Sequence, residues 1–259
     1  TNYPYTLNLL HEMLKRIKER PENLLTVGDF NEKKQHRAEF MLNFITDIIT
    51  VDGLPIDREY AIFPQPLHAQ RIDDLLKQAH VDRDQHILIG MQLGCHRTAR
   101  RGWKIWQRQR HVHKKVWPIE YYTELAKKLK QHDANIRIVV TGSKQERYLA
   151  KMFLNDMPDT VDMIGKTSLL ELAALMDKLN LLISHDTGTM HIACARRLPL
   201  VTMFASTATK RYFFGPFPPN DKRNIILESD TIENVTVDSV YQAALKQLAV
   251  LKRVEPCQA

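Results

Sequence analysis

From residue 86 onward, short apolar runs alternate with stretches of helical periodicity, and this alternation admits few folds. The runs Ile87-Leu88-Ile89-Gly90-Met91, Ile136-Arg137-Ile138-Val139-Val140, Val161-Asp162-Met163-Ile164, Leu181-Leu182-Ile183-Ser184 and residues 200–204 read as strands. Between and after them, residues 118–131, 144–154, 168–178, 189–197 and 239–251 carry apolar side chains at helical spacing. Strands joined through helices must lie parallel, because a crossover returns the chain to the same end of the sheet. The expectation is one doubly wound α/β domain of four or five strands over residues 86–259. Ser168 and Glu171 stand at capping-box spacing before one helix, and Asp238 is placed to cap the last.

Residues 1–85 read differently. Helical patterns over 7–20, 35–49 and 72–79 are separated by a stretch marked by Gly53, Pro55, Pro64 and Pro66, so this part is expected to be a helix-rich segment and linker. A chain of 259 residues, 44% of them hydrophobic, has enough apolar material for a sizeable core. It holds no apolar run of the ~18 residues that span a bilayer, and its first residues lack a secretory pattern. Cys95, Cys194 and Cys257 are far apart and form no C-x-x-C pair, which speaks against a disulfide framework or zinc knuckle and for a reducing, cytoplasmic setting. The net charge of +7 favours an anionic partner.

In an open parallel sheet, ligands meet the loops beyond the carboxyl ends of the strands. Four such places carry suggestive residues. Asp186-Thr187-Gly188-Thr189, with His191 in the first helical turn, follows one strand: Gly188 admits close approach to the backbone, and Asp186 either holds sugar hydroxyls or caps the helix. Lys115-Val116-Trp117-Pro118 places an ammonium beside a helix start, suited to a diphosphate, while Trp117 is equally a packing residue. Thr141-Gly142-Ser143 leads to Glu146, which either binds ribose hydroxyls or complements the helix dipole. Gly165-Lys166-Thr167-Ser168 borders a base pocket on this reading. It is not a Walker phosphate loop, since Thr160 stands where that motif needs glycine.

Taken in order, and closed by Gly215-Pro216, these blocks resemble the C-terminal half of the bacterial heptosyltransferases, glycosyltransferase family nine. The resemblance covers residues 86–216, with Asp-Thr-Gly-x-x-His as its most specific block. It implies a GT-B arrangement of two Rossmann-like domains, of which residues 86–259 are the donor-side C-terminal domain and residues 1–85 a partial remnant of the acceptor side. It implies transfer of a heptose-like sugar from a nucleoside diphosphate, ADP-heptose in the family, to a lipopolysaccharide core acceptor. The reaction inverts the anomeric centre and uses neither metal nor other cofactor. Carried over by motif, Lys115 contacts the diphosphate, Glu146 the ribose, Thr167 the adenosine region, and Asp186, Thr187 and Gly188 the sugar-phosphate. His191 supports them, and Thr98 is a candidate phosphate contact.

By the resemblance, the base is an aspartate in the first loop of the N-terminal domain. No segment matching that loop is found. Gly28-Asp29 is similar but displaced, so Asp29 is a candidate by that likeness alone and the base is expected outside this chain. The stretch 96–114 departs from the family. Arg97, Arg100, Arg101, Lys104, Arg108, Arg110 and Lys114 interleave there with Trp103 and Trp106. Such a segment suits an anionic membrane on the inner face of the inner membrane, or a phosphorylated acceptor, in preference to nucleic acid; it also reads as a solvated loop. The alternative for the whole is a nucleotide-sugar-binding or scaffold protein without catalysis.

Overall fold

The computed structural model describes residues 36, 38–39, 60–95, 98, 114–206 and 214–254. Six strands form one sheet: β1 (Ile87–Gln92), β2 (Ile136–Thr141), β3 (Val161–Asp162), β4 (Leu181–His185), β5 (Leu200–Ala205) and β6 (Asn224–Ser229). Their spatial order is β3-β2-β1-β4-β5-β6, and every neighbouring pair is parallel. This is the strand order of the dinucleotide-binding fold, with its topological switch point between β1 and β4.

Among the described residues, six α-helices accompany the sheet: α1 (Pro66–Gln78), α2 (Ile119–His132), α3 (Arg147–Asp156), α4 (Leu169–Met176), α5 (Gly188–Ala195) and α6 (Val237–Val254). Side chains alternate across each strand, so one sheet supplies two cores. Ile89, Met91, Ile138, Val140, Ile183 and Val201 pack under α2, α3 and α6, whereas Leu88, Val139, Leu182, Leu200 and Phe204 pack under α1, α4 and α5. Both faces being covered, the central strands are apolar almost without interruption.

The five strands read from the sequence are all present, and β6 is an addition. It is an edge strand whose residues are mostly half-buried, and its apolar stretch Ile225-Ile226-Leu227 is too short to stand out. The helix read at 144–154 begins as a 3-10 turn over Lys144–Glu146 and continues as α3. The capping box on α4 is formed: Ser168 Oγ accepts from the Glu171 amide at 3.3 Å, and the Ser168 amide donates to the Glu171 carboxylate at 2.6 Å. Asp238, expected as the cap of the last helix, is not the cap. Thr236 is, with its hydroxyl accepting from the Ser239 amide at 3.2 Å, while Asp238 lies inside the first turn and pairs with Lys128. Trp117 settles as packing. It is fully buried against Tyr121 and Tyr122, and its indole N–H donates to the Val235 carbonyl at 2.8 Å.

Helix α1, ahead of residue 86, is built into the sheet rather than hanging from it. Ile72, Leu75 and Leu76 belong to the same buried cluster as Leu88 and Val139. The chain entering it is fastened at a second point: the Arg196 guanidinium donates to the Ile62 carbonyl at 2.8 Å and forks onto Asp177 at 2.7 and 3.0 Å. Among the described residues, no helix is long and apolar enough to cross a membrane.

Candidate functional site: the switch point between β1 and β4

Strand β4 ends in His185, and the chain turns through Asp186 and Thr187 into α5. The N-cap of α5 is Thr187, whose side chain makes no capping bond, so Asp186 is not the helix cap. Its carboxylate instead meets the Lys115 ammonium at 2.5 Å. Two residues drawn from blocks seventy-one positions apart are thereby brought together at the mouth of α5. Thr187 Oγ1 lies 3.2 Å from Ser184 Oγ, which ties the turn to the end of β4.

Gly188, the first residue of α5, is exposed, and a Cβ placed there would meet nothing within 4 Å. Neither packing nor a positive φ demands glycine at this point. What it leaves is an open approach to the backbone amides at a helix N-terminus, where the dipole favours an anion. His191, one turn further, is partly buried, and its Nδ1 is buried without a hydrogen-bond partner. Burial and the nearby His36 lower its pKa, against the opposing pull of Asp186.

Glu146 lies beyond the end of β2. One carboxylate oxygen, Oε2, accepts from the amide and the hydroxyl of Ser143, both at 2.7 Å, and so caps the turn. The other, Oε1, is buried and has no partner. It faces Gly94: a Cβ there would lie 2.5 Å from Oε1 and 2.8 Å from Leu149 Cδ1, so the approach of Glu146 requires glycine. The dipole reading and the ligand reading of Glu146 thus concern different oxygens. Thr167, half-buried, follows β3 and immediately precedes the Ser168 cap; its loop is drawn toward β2 by the Gly165 amide donating to the Gly142 carbonyl at 2.8 Å.

Thr98 is placed otherwise than expected. It is fully buried, its hydroxyl accepts from the Cys95 amide at 2.9 Å and donates to the Cys95 carbonyl at 2.8 Å, and its own carbonyl accepts from Tyr148 at 3.1 Å. Closing this turn occupies the group that was to meet a phosphate. Asp29, and the inserted stretch apart from Thr98 and Lys114, lie outside the described residues.

Polar residues beneath the mouth escaped the sequence reading. Gln92, at the end of β1, is 4% exposed, and its side-chain carbonyl accepts from the hydroxyls of Thr141 and Thr189, each at 2.9 Å. Its main-chain carbonyl accepts from Tyr122 at 2.8 Å. Burial drives the Tyr122 pKa far upward, so the hydroxyl keeps its proton. That proton being committed to Gln92, the Tyr122 oxygen accepts from Nδ1–H of His185 at 3.1 Å. His36 is likewise unforeseen: it is buried, within 2.9 Å of the Gly215 carbonyl, and packed on Phe217. A cavity of about 440 Å³ lies elsewhere, between the end of α1 and the β3 edge; Arg137, Asp159, Asp162 and Lys166 line it, and none of the expected site residues does.

Comparison with known proteins fits this arrangement. The sequence model of Glycosyltransferase family 9 (heptosyltransferase) matches residues 72–244, well over half of the chain. The Haemophilus influenzae lipopolysaccharide core heptosyltransferase OpsX is 33% identical over 92 residues, which are 35% of this chain and 26% of that protein. Lipooligosaccharide heptosyltransferase 2 of the same organism is 28% identical over 117 residues, 43% of this chain and 32% of that protein. The matched stretches therefore span about a quarter to a third of these relatives' length. A glycosyl transferase family 9 structure from Veillonella parvula superposes with a TM-score of 0.67 at 21% identity, over 85% of this chain and 62% of that one. Escherichia coli heptosyltransferase WaaC, solved with ADP, does so with a TM-score of 0.58 at 20% identity, over 83% and 57%. The fold is α/β of the GT-B type, and the chain belongs to glycosyltransferase family 9, the heptosyltransferases.

Proposed function

We propose that the β1–β4 mouth binds a nucleoside diphosphate sugar, and that the protein is a heptosyltransferase acting on a lipopolysaccharide core. The observation that carries this is the meeting of Lys115 and Asp186 at 2.5 Å beside the open Gly188 turn. The strand order supports an extended ligand. Neighbouring strands lie about 4.8 Å apart, so loops after β3, β2 and β4 fall in a row about 14 Å long. Along that row stand Thr167 for the base, Glu146 for the ribose, and Lys115 with the α5 amides for the diphosphate. The Glu146 carboxylate, one of whose oxygens has no hydrogen-bond partner, is assigned to the ribose hydroxyls. ADP is the nucleotide bound in the WaaC structure, and by family membership ADP-heptose is the donor proposed for this protein.

The chemistry is a displacement at the anomeric carbon. The acceptor oxygen bonds to that carbon from the face opposite the diphosphate, the carbon–oxygen bond to diphosphate breaks, and the configuration inverts. A carboxylate takes the acceptor's proton; no described residue of this chain is assigned that task. As charge develops on the leaving diphosphate, the Lys115 ammonium and the α5 amides stabilise it without a metal ion. Asp186 orients Lys115 and meets the sugar hydroxyls; it is not the base. The basic, tryptophan-bearing stretch 96–114 is assigned contact with phosphorylated acceptor or the anionic inner face of the membrane.

Calorimetric titration with ADP and ADP-heptose tests the binding half. Micromolar binding that falls at least tenfold in Lys115→Ala and Asp186→Ala is expected, and no heat with either ligand would refute it. Transfer of labelled heptose to a lipopolysaccharide core acceptor by the full-length gene product tests the activity. Nucleotide binding without transfer would point to a binding protein.

A further inference from the structure

The two walls of the mouth are held in register from below by one side chain. Gln92 ends β1 at the switch point, and three of its side-chain bonds go to three different elements. The carbonyl Oε1 accepts from Thr141 at the end of β2 and from Thr189 in the first turn of α5, both at 2.9 Å. The amide Nε2 donates to the Gly94 carbonyl at 2.8 Å in the loop after β1. Since Gly94 offers only a carbonyl there, the orientation of the amide is fixed by its partners. Each partner leads directly to the site. Gly94 is the surface against which Glu146 Oε1 lies. Thr141 is followed by Gly142 and by Ser143, whose amide and hydroxyl hold Glu146 Oε2. Thr189 follows Gly188, and its helix begins next to the Asp186 that holds Lys115.

We propose that Gln92 is a positioning residue for the donor site, setting the distance between the Glu146 wall and the Lys115–Asp186 wall through its three-way hydrogen bonding. This rests on the donor-site reading given above. Gln92 is 4% exposed beneath the mouth, so it acts through Gly94, Thr141 and Thr189 rather than by contact. A buried polar side chain could instead serve stability alone, and the two roles separate on substitution by glutamate. An ionised carboxyl at position 92 still accepts from both threonines, but turns its second oxygen on the Gly94 carbonyl and repels it. A protonated carboxyl donates to that carbonyl and restores the native set. Burial raises the pKa of such a group toward neutrality or above. Of the nearby titratable groups, Glu146 lies across Gly94 and Cys95 stands in the adjoining turn, while Tyr122, with His185 behind it, meets the main-chain carbonyl of Gln92 rather than its side chain.

The test is ADP affinity of the full chain, by calorimetry, for the wild type, Gln92→Glu and Gln92→Leu, between about pH 6 and about pH 8.5, the range in which a buried carboxyl can titrate. Each is measured below its own melting temperature, and affinities are taken relative to wild type at the same pH. Gln92→Glu is expected to bind at least tenfold more weakly at the alkaline end and to recover most of that loss at the acid end. Gln92→Leu is expected to be weak throughout. Should the leucine variant fail to fold, Thr189→Val, which removes one of the three bonds, is expected to weaken binding several-fold without pH dependence. Wild-type binding matched by both position-92 variants at every pH would overturn the positioning role alone. Absence of ADP binding by the wild type would overturn the donor-site reading and this proposal with it.

Discussion

Lys115 and Asp186 form a pair whose side chains are 33% and 14% exposed, and the degree of exposure sets what the pair can contribute. A partly hydrated ion pair adds about 0–1 kcal/mol to stability. Lys115→Met is therefore expected to shift the melting temperature by a few degrees at most, while lowering ADP affinity at least tenfold; a large loss of stability would mark the pair as structural. His191 makes a different prediction. Its pKa is held below 6.5, first by burial and then by His36, so the unfolded chain takes up this proton before the folded one does. Its contribution is whole above about pH 6.5 and declines as the pH falls from there through the folded value. Melting curves of His191→Gln against wild type should converge or cross on acidification, and parallel curves would refute the assignment. Lys115, Glu146 and Asp186 stood out as candidates because each sits in a short motif just after a strand or before a helix. Gln92 did not: a lone glutamine after Ile89-Gly90-Met91 reads as the end of a strand, and its two threonine partners are 49 and 97 positions away.

Among the elements, those with local signals were legible and those defined by neighbours were not. Ser168 and Glu171 announce the start of α4 in four residues, and the reciprocal bonds are formed. Ser168→Ala is expected to cost about 1 kcal/mol, the usual loss for such a cap, and to raise amide exchange in the first turn of α4. An unchanged exchange rate at Leu170 and Glu171 would deny the cap its role. The same box at Ser143 and Glu146 was read only as glycine turn plus carboxylate, because whether a glutamate caps or binds depends on where its second oxygen points. Strand β6 was missed for the converse reason. It has no local signature and is a strand because β5 offers it an edge, with Leu200 through Ala205 pairing residue by residue with Asn224 through Ser229.

For the molecule as a whole, parallel strands and interleaved helices followed from the alternating pattern, but the spatial order of the strands did not, since periodicity says nothing of which strand lies beside which. Nor did it reveal that α1 closes one face of the sheet. Ile72 is fully buried and Leu76 nearly so, packed with residues of β1, β2, α4 and α5. Ile72→Ala is expected to cost about 2–5 kcal/mol in denaturant unfolding, with a single transition retained. A loss under about 1 kcal/mol, or a separate early transition, would mean that α1 is not part of the cooperative unit. The open position at Gly188 has a practical corollary. Cys95 and Cys194 are buried, so with Cys257 changed to serine, Gly188→Cys would offer a single accessible thiol at the mouth of α5. An environment-sensitive fluorophore attached there would turn the glycine's empty surroundings into an optical sensor of what enters the cleft.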